Sequence, residues 1–135
     1  MRGFTGSVAD RLAIRERIEA YNDAVFRHDL ADYAECWAAD AHWEVGEHRA
    51  EGRQAISDLW VKLMAGFERA GMYVAHGAVS IDGDTATARS YMLEMLKQID
   101  GAERFVSGRY DDDLRRDDDG EWRFVSRGYT VLQVR

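Results

Sequence analysis

The chain has 135 residues, 46% of them hydrophobic and 32% charged, with a formal net charge of −7. That length suits one domain with a core and a pocket. The acidic balance argues against nucleic acid and anionic membrane as partners, since both call for basic faces, and no apolar run approaches the ~18 residues of a membrane span.

Residues 1–7 are expected as a loose arm and residues 8–135 as a single domain. The start, "MRGFTGSVADR", has no apolar run of secretory type. Cys36 is the only cysteine, so no internal disulfide forms, and a reducing, cytoplasmic location is expected. Ser7 with Asp10 has the spacing of a helix start. Leu12, Ile14, Ile18, Tyr21, Val25 and His28 then recur at helical intervals, predicting a helix over about 8–27. Arg15 and Glu19 form an expected i,i+4 pair on another face. The stretch "YNDAVFRHD" gathers ionisable residues at this helix end. Asp23 turns roughly 200° away from Tyr21 on a helical wheel, and Asp29 fits the cap of a short second helix, "LADYAECWA". His28 returns towards the Tyr21 side but sits at the helix end, where the dipole favours a cation, so Tyr21 is the site candidate of this group.

"AHWEV" predicts a strand. "GRQAISDLWVKLMAGFERAG" predicts a third helix with Ile56, Leu59, Trp60, Leu63 and Phe67 on one face and Gly71 just beyond its end. Four strands follow, separated by "DGD", "DGA" and "DDDG", turns that predict sequential hairpins. The fold class is α+β: a strongly curved, mostly antiparallel sheet, with three helices from the N-terminal half on its concave face. Such a cone leaves one pocket at its open end. Its expected lining is apolar and aromatic. Trp43 and Val45 come from the first strand, Trp60 and Met64 from the third helix. Met72, Val74, Met92 and Tyr110 come from later strands.

The order of elements, together with "YNDAVFRHDLADYAECWAADAHWEV", "GRQAI", "IDGDTATARSY" and "GRYDDDLRRDDDGEWRF", resembles the SnoaL-like branch of the nuclear-transport-factor-2-like superfamily, the cystatin-like cone. The resemblance spans about Ala9 to Val131. Its members include polyketide cyclases, ketosteroid isomerases, dehydratases, a dehydrochlorinase and proteins that only bind. It implies an enolate-binding phenol at Tyr21, a neutral carboxyl donor at Asp112 and a homodimer built through the sheet face. It also marks two departures. Phe26 stands where the dehydratases carry an aspartate, and Met72 where they carry its partner histidine.

His76, in the apolar run "MYVAHGAVSI", is the remaining candidate proton carrier. Each of these three has a structural alternative: a core histidine, a core tyrosine, and an Asp112 in the opposite register or in a surface ion pair. His42, Glu44, Glu47 and His48 lack metal-site spacing, and no nucleotide-loop or serine-hydrolase motif occurs. No metal or cofactor is therefore expected. The expected function is a cofactor-independent isomerase, dehydratase or cyclase for a small hydrophobic carbonyl compound. The alternative is a non-catalytic domain that holds an apolar ligand or supports a partner.

Overall fold

Ser7 opens the first helix as its spacing predicts: its Oγ accepts the Asp10 N–H at 3.0 Å, and α1 runs Val8–Arg27. This computed structural model describes residues 3–135; Met1 and Arg2, the first part of the expected arm, lie outside the described residues. The rest of the arm lies along the sheet, where the Thr5 N–H donates to the Val79 carbonyl at 3.1 Å. Ile14, Ile18, Tyr21 and Val25 are buried along α1, but Leu12 is 53% exposed and falls off the stripe. Asp29 caps α2, Leu30–Glu35, by accepting the Asp32 N–H at 3.0 Å.

β1 spans Trp37–Val45 and β2 spans His48–Glu51; α3 follows at Arg53–Met64. The long strands are β3 (Phe67–Asp82), β4 (Thr85–Gln98), β5 (Glu103–Arg116) and β6 (Trp122–Val134). They form a six-stranded sheet in the order β2-β1-β6-β5-β4-β3. The three Asp-Gly turns close the hairpins β3–β4, β4–β5 and β5–β6. Every pairing is antiparallel except β1 with β6. Register shifts interrupt β3 between His76 and Val79, and the β5–β6 ladder at Ser107/Gly108 and Asp113/Leu114. Such bulges bend strands and raise twist. They curve the sheet around α1, which rests on β3, and α3, which rests on β1. The α+β class and its curved sheet are as expected.

Three boundaries differ from expectation. The short helix stops at Glu35, because Trp37 pairs with Phe124 and the Cys36 carbonyl accepts the Phe124 N–H at 2.9 Å. β2 adds a short edge strand to β1 that alternation alone does not announce. The third helix ends at Met64, and Phe67–Gly71 joins β3, paired with Gln98–Met95 of β4. In the first and third cases ladder formation with a strand distant in sequence overrides a local helical period. Gly71 is therefore a mid-strand residue. It is small because the Phe26 ring lies against it, in the space a Cβ would take.

Candidate functional site

The inward stripe of α1 places Tyr21 among a cluster of aromatic rings. Its hydroxyl lies 3.3 Å from that of Tyr33 and 3.4 Å from that of Tyr110. Trp43 Nε1, on β1, donates to the Tyr110 oxygen at 3.3 Å. These contacts are long for hydrogen bonds to a hydroxyl, so the phenols remain open to a better partner. Burial pushes all three phenol pKa values well above the ordinary 10. Each therefore stays a protonated donor.

Beside this cluster lies a hollow of about 200 Å³. Its walls come from every layer. Tyr21 and Val25 of α1 face Trp60 and Met64 of α3 across it; Trp43 and Val45 come from β1, and Met72 and Tyr110 from β3 and β5. Its one carboxylate is Glu94, from β4. On that strand Ala86, Ala88, Ser90 and Met92 turn inward at alternate positions, and Glu94 continues the series. The Tyr129 hydroxyl of β6 donates to Glu94 Oε2 at 2.7 Å. Burial raises the Glu94 pKa from its ordinary 4.5; the Tyr129 bond and Arg104 oppose the shift. Burial, with Glu94 alongside, also pushes the Tyr129 phenol up. Tyr129 reaches Glu94 across Gly108, whose missing side chain leaves the space its ring fills.

Asp112 is also buried, but beneath the phenols rather than on the hollow wall. Arg127 Nε donates to its Oδ1 at 2.7 Å and Nη2 to its Oδ2 at 3.2 Å. The Arg127 guanidinium in turn lies 3.7 Å from the Tyr110 ring centroid and 4.4 Å from that of Tyr21. Burial pushes the Asp112 carboxyl up and Arg127 pulls it back down. Both oxygens accept from Arg127, which favours the ionised form, and an ionised carboxylate has no proton to donate to a ligand.

His76 lies elsewhere. Its Nε2 sits 3.2 Å from Glu19 Oε1, and it lines a separate cleft near the start of α1. Val74 is half-buried against the core, while Met92 is buried with its sulfur 3.7 Å from the Asn22 amide nitrogen. Neither lines the hollow. The structure thus brings Tyr21, Trp43, Val45, Trp60, Met64, Met72 and Tyr110 together, and leaves His76, Val74 and Met92 outside them. Glu94 and Tyr129 are additions that sequence reasoning missed. The available signal was a lone carboxylate on the Met92–Leu96 face of β4. It was masked because Tyr91, Leu93 and Met95 make the opposite face apolar too.

A model of the SnoaL-like domain matches residues 6–128. The chain belongs to the SnoaL-like family. Solved structures of similar fold include a candidate aromatic ring hydroxylase from Novosphingobium aromaticivorans, 26% identical with a TM-score of 0.89, covering 96% of this chain and 93% of that one. A LinA-type3 hexachlorocyclohexane dehydrochlorinase from Novosphingobium barchaimii is 18% identical, with a TM-score of 0.86 over 95% of this chain and 90% of that one. A candidate dehydratase of the NTF2-like family from Streptomyces avermitilis is 18% identical, with a TM-score of 0.84 over 94% of this chain and 99% of that one. The last two establish the fold alone. No curated protein sequence matches the chain. The SnoaL-like fold here carries Phe26 half-exposed beside Tyr73, with ring centroids 5.8 Å apart, and Met72 in the hollow wall. Neither residue transfers protons.

Proposed function

We propose that this SnoaL-like protein is a cofactor-independent enzyme that moves a proton next to the carbonyl of a small, apolar compound, in the isomerase, dehydratase or cyclase class. The observation that carries this reading is Glu94: one carboxylate with a raised pKa, in an apolar hollow that also holds phenols. A raised pKa brings a carboxylate base closer to working pH. Glu94 takes the proton from the carbon beside the carbonyl. The C–H electron pair becomes the enolate C=C, and the carbonyl oxygen becomes the oxyanion. Tyr21 donates to that oxygen. Trp43 only donates, so Tyr110 accepts from it and keeps its own proton for Tyr21 or the ligand. The enolate then takes the proton back from Glu94 at another carbon, attacks a carbonyl within the same molecule whose oxygen takes that proton, or expels a leaving group that departs with it. In this reading Glu94 takes the proton-moving role that the sequence alone gave to His76, and Asp112 holds Arg127 beneath the phenols.

The hollow also bounds the substrate. A cavity of about 150 Å³ holds benzene, so about 200 Å³ favours a single substituted ring over a steroid. The test is binding of a phenol that mimics the enolate. Wild type should bind it several-fold more tightly than Tyr21→Phe, and Glu94→Gln should abolish base-catalysed hydrogen exchange of ring ketones. Equal affinity in Tyr21→Phe, or exchange that survives in Glu94→Gln, overturns the assignment.

Phe26 and Met72 favour a second reading, in which the hollow only holds an apolar ligand or the domain supports a partner subunit. Saturable ligand binding without any exchange chemistry would select it. On either reading the protein works as a homodimer. Tyr73, Tyr91, Leu93, Met95 and Phe105 form an exposed apolar patch on the outward sheet face, with Tyr73 paired to Leu93 and Met95 to Phe105. A second copy covers such a patch more readily than water does. A cytoplasmic location fits small-molecule chemistry of this kind; no described helix is long and apolar enough to cross a membrane.

A further inference from the structure

A second cleft opens away from the hollow, between the first turns of α1 and the middle of β3. It measures about 370 Å³ and is walled by Phe4, Val8, Leu12 and Val79, with Arg11, Arg15 and His76 around it. Three of these apolar side chains stay in water: Phe4 is 48% exposed, Val8 72% and Leu12 53%.

The charges around the cleft are unbalanced in the other direction. Neither acidic residue nearby on α1 pairs with these arginines: Asp10 bonds Arg116 at 2.8 Å, and Glu19 turns to the cleft's own His76 at 3.2 Å rather than to Arg15. Arg11 and Arg15 have no ion-pair partner among the described residues. Arg11 Nε and His76 Nδ1 are both buried without a hydrogen-bond partner among the described residues. Buried polar groups left unpaired are rare and costly, and a missing partner is one explanation for them. In a chain of net charge −7, two uncompensated guanidiniums converge here on an apolar wall.

We infer that this cleft binds an amphipathic organic anion, with a carboxylate held by Arg11 and Arg15 and an alkyl or aryl body against Phe4, Val8 and Leu12. Arginine suits carboxylates because its planar fork matches their two oxygens. This site is independent of the hollow at Glu94: the two share no wall residue.

Octanoate is a suitable probe, with octanol and octyltrimethylammonium as controls of the same chain length. Calorimetry should show saturable octanoate binding that weakens about tenfold or more in Arg15→Glu and in Leu12→Ser, the loss expected when a charge-assisted bond or its apolar seat is removed. Both positions are exposed, so neither variant threatens folding. Amide shifts in the NMR spectrum should change at Val8, Leu12 and Gly77, and persist in Tyr21→Phe. Octanol binding as well as octanoate, affinity unchanged in Arg15→Glu, or shifts confined to the Glu94 hollow would each overturn the inference.

Discussion

The guanidinium of Arg127 grips Asp112 through Nε at 2.7 Å, with both side chains wholly out of solvent, and the same guanidinium lies beneath the rings of Tyr21 and Tyr110. The phenols of the candidate site therefore stand on a buried charge pair. Arg127 Nη1 has no hydrogen-bond partner among the described residues, and the aromatic faces around it, Phe124 at 4.1 Å included, supply part of the missing stabilisation.

Breaking this pair on one side should be expensive. Arg127→Met strands a buried carboxylate and is expected to cost about 3–5 kcal/mol. The double variant Arg127→Met, Asp112→Leu should recover much of that loss, since an apolar pair of similar volume is often neutral. Urea unfolding with an unchanged slope measures both. A single variant no less stable than the double would contradict the ion-pair description.

Glu94 makes a prediction about pH. Its folded pKa is raised by burial above the ordinary 4.5. The folded state therefore holds this proton more tightly than the unfolded chain, and stability from this group falls as pH rises from below 4.5 through the folded value. Glu94→Gln removes the effect. The stability of Glu94→Gln relative to wild type should grow as pH rises through that window and level off above it. A difference that is flat with pH would show that Glu94 titrates as it does in the unfolded chain.

Gly108→Ala should act on the same carboxylate from a distance. The added methyl falls where the Tyr129 phenol now sits. Tyr129 must then leave Glu94, at a cost of about 1–3 kcal/mol for overpacking. Enolate-mimic binding should weaken together with stability, and a Gly108→Ala protein unchanged in both would contradict the described approach of Tyr129.

The outward sheet face predicts an assembly state. Leu93 is 46% exposed and centred between Tyr73 and Ser107 on the neighbouring strands. Leu93→Asp puts a charge in the middle of the patch and should shift the protein from dimer to monomer in sedimentation, leaving its circular dichroism intact. Wild type that sediments as a monomer at every concentration would remove this face as the dimer surface.

Local rules made the helices and hairpins readable. Ser7, Asp29 and the three Asp-Gly turns each act within a few residues, and the structure uses them as written. What failed was decided by distant partners. Trp37 pairs with Phe124, and Phe67 with Gln98, so strands begin where helical spacing had continued. At the site, Tyr21 and the aromatic lining were legible because one inward stripe and one strand alternation fix their direction. His76 shares the inward face with Met72 and Val74, opposite buried Ser90, but it lies farther along β3 under α1, where Glu19 meets it. Alternation gives the face of a strand residue and not its distance from the hollow. Asp112 lies inward, but nothing local to "YDDDL" names Arg127 as the group that claims it. Glu94 hid on a strand whose two faces are both apolar.

The one parallel ladder, β1 beside β6, has a consequence for how the protein is made. β1, one strand in from the sheet edge, is laid down early in synthesis, yet its parallel neighbour β6 follows only after β2, α3, β3, β4 and β5. Until then Trp37 has no ladder partner, Trp43 has only Ala50 of β2, and the hollow has no closed wall. Closing so long a stretch of chain is slow, as non-local contacts are. A nascent chain shortened within β6 should therefore be a client for chaperones rather than a smaller version of the finished molecule.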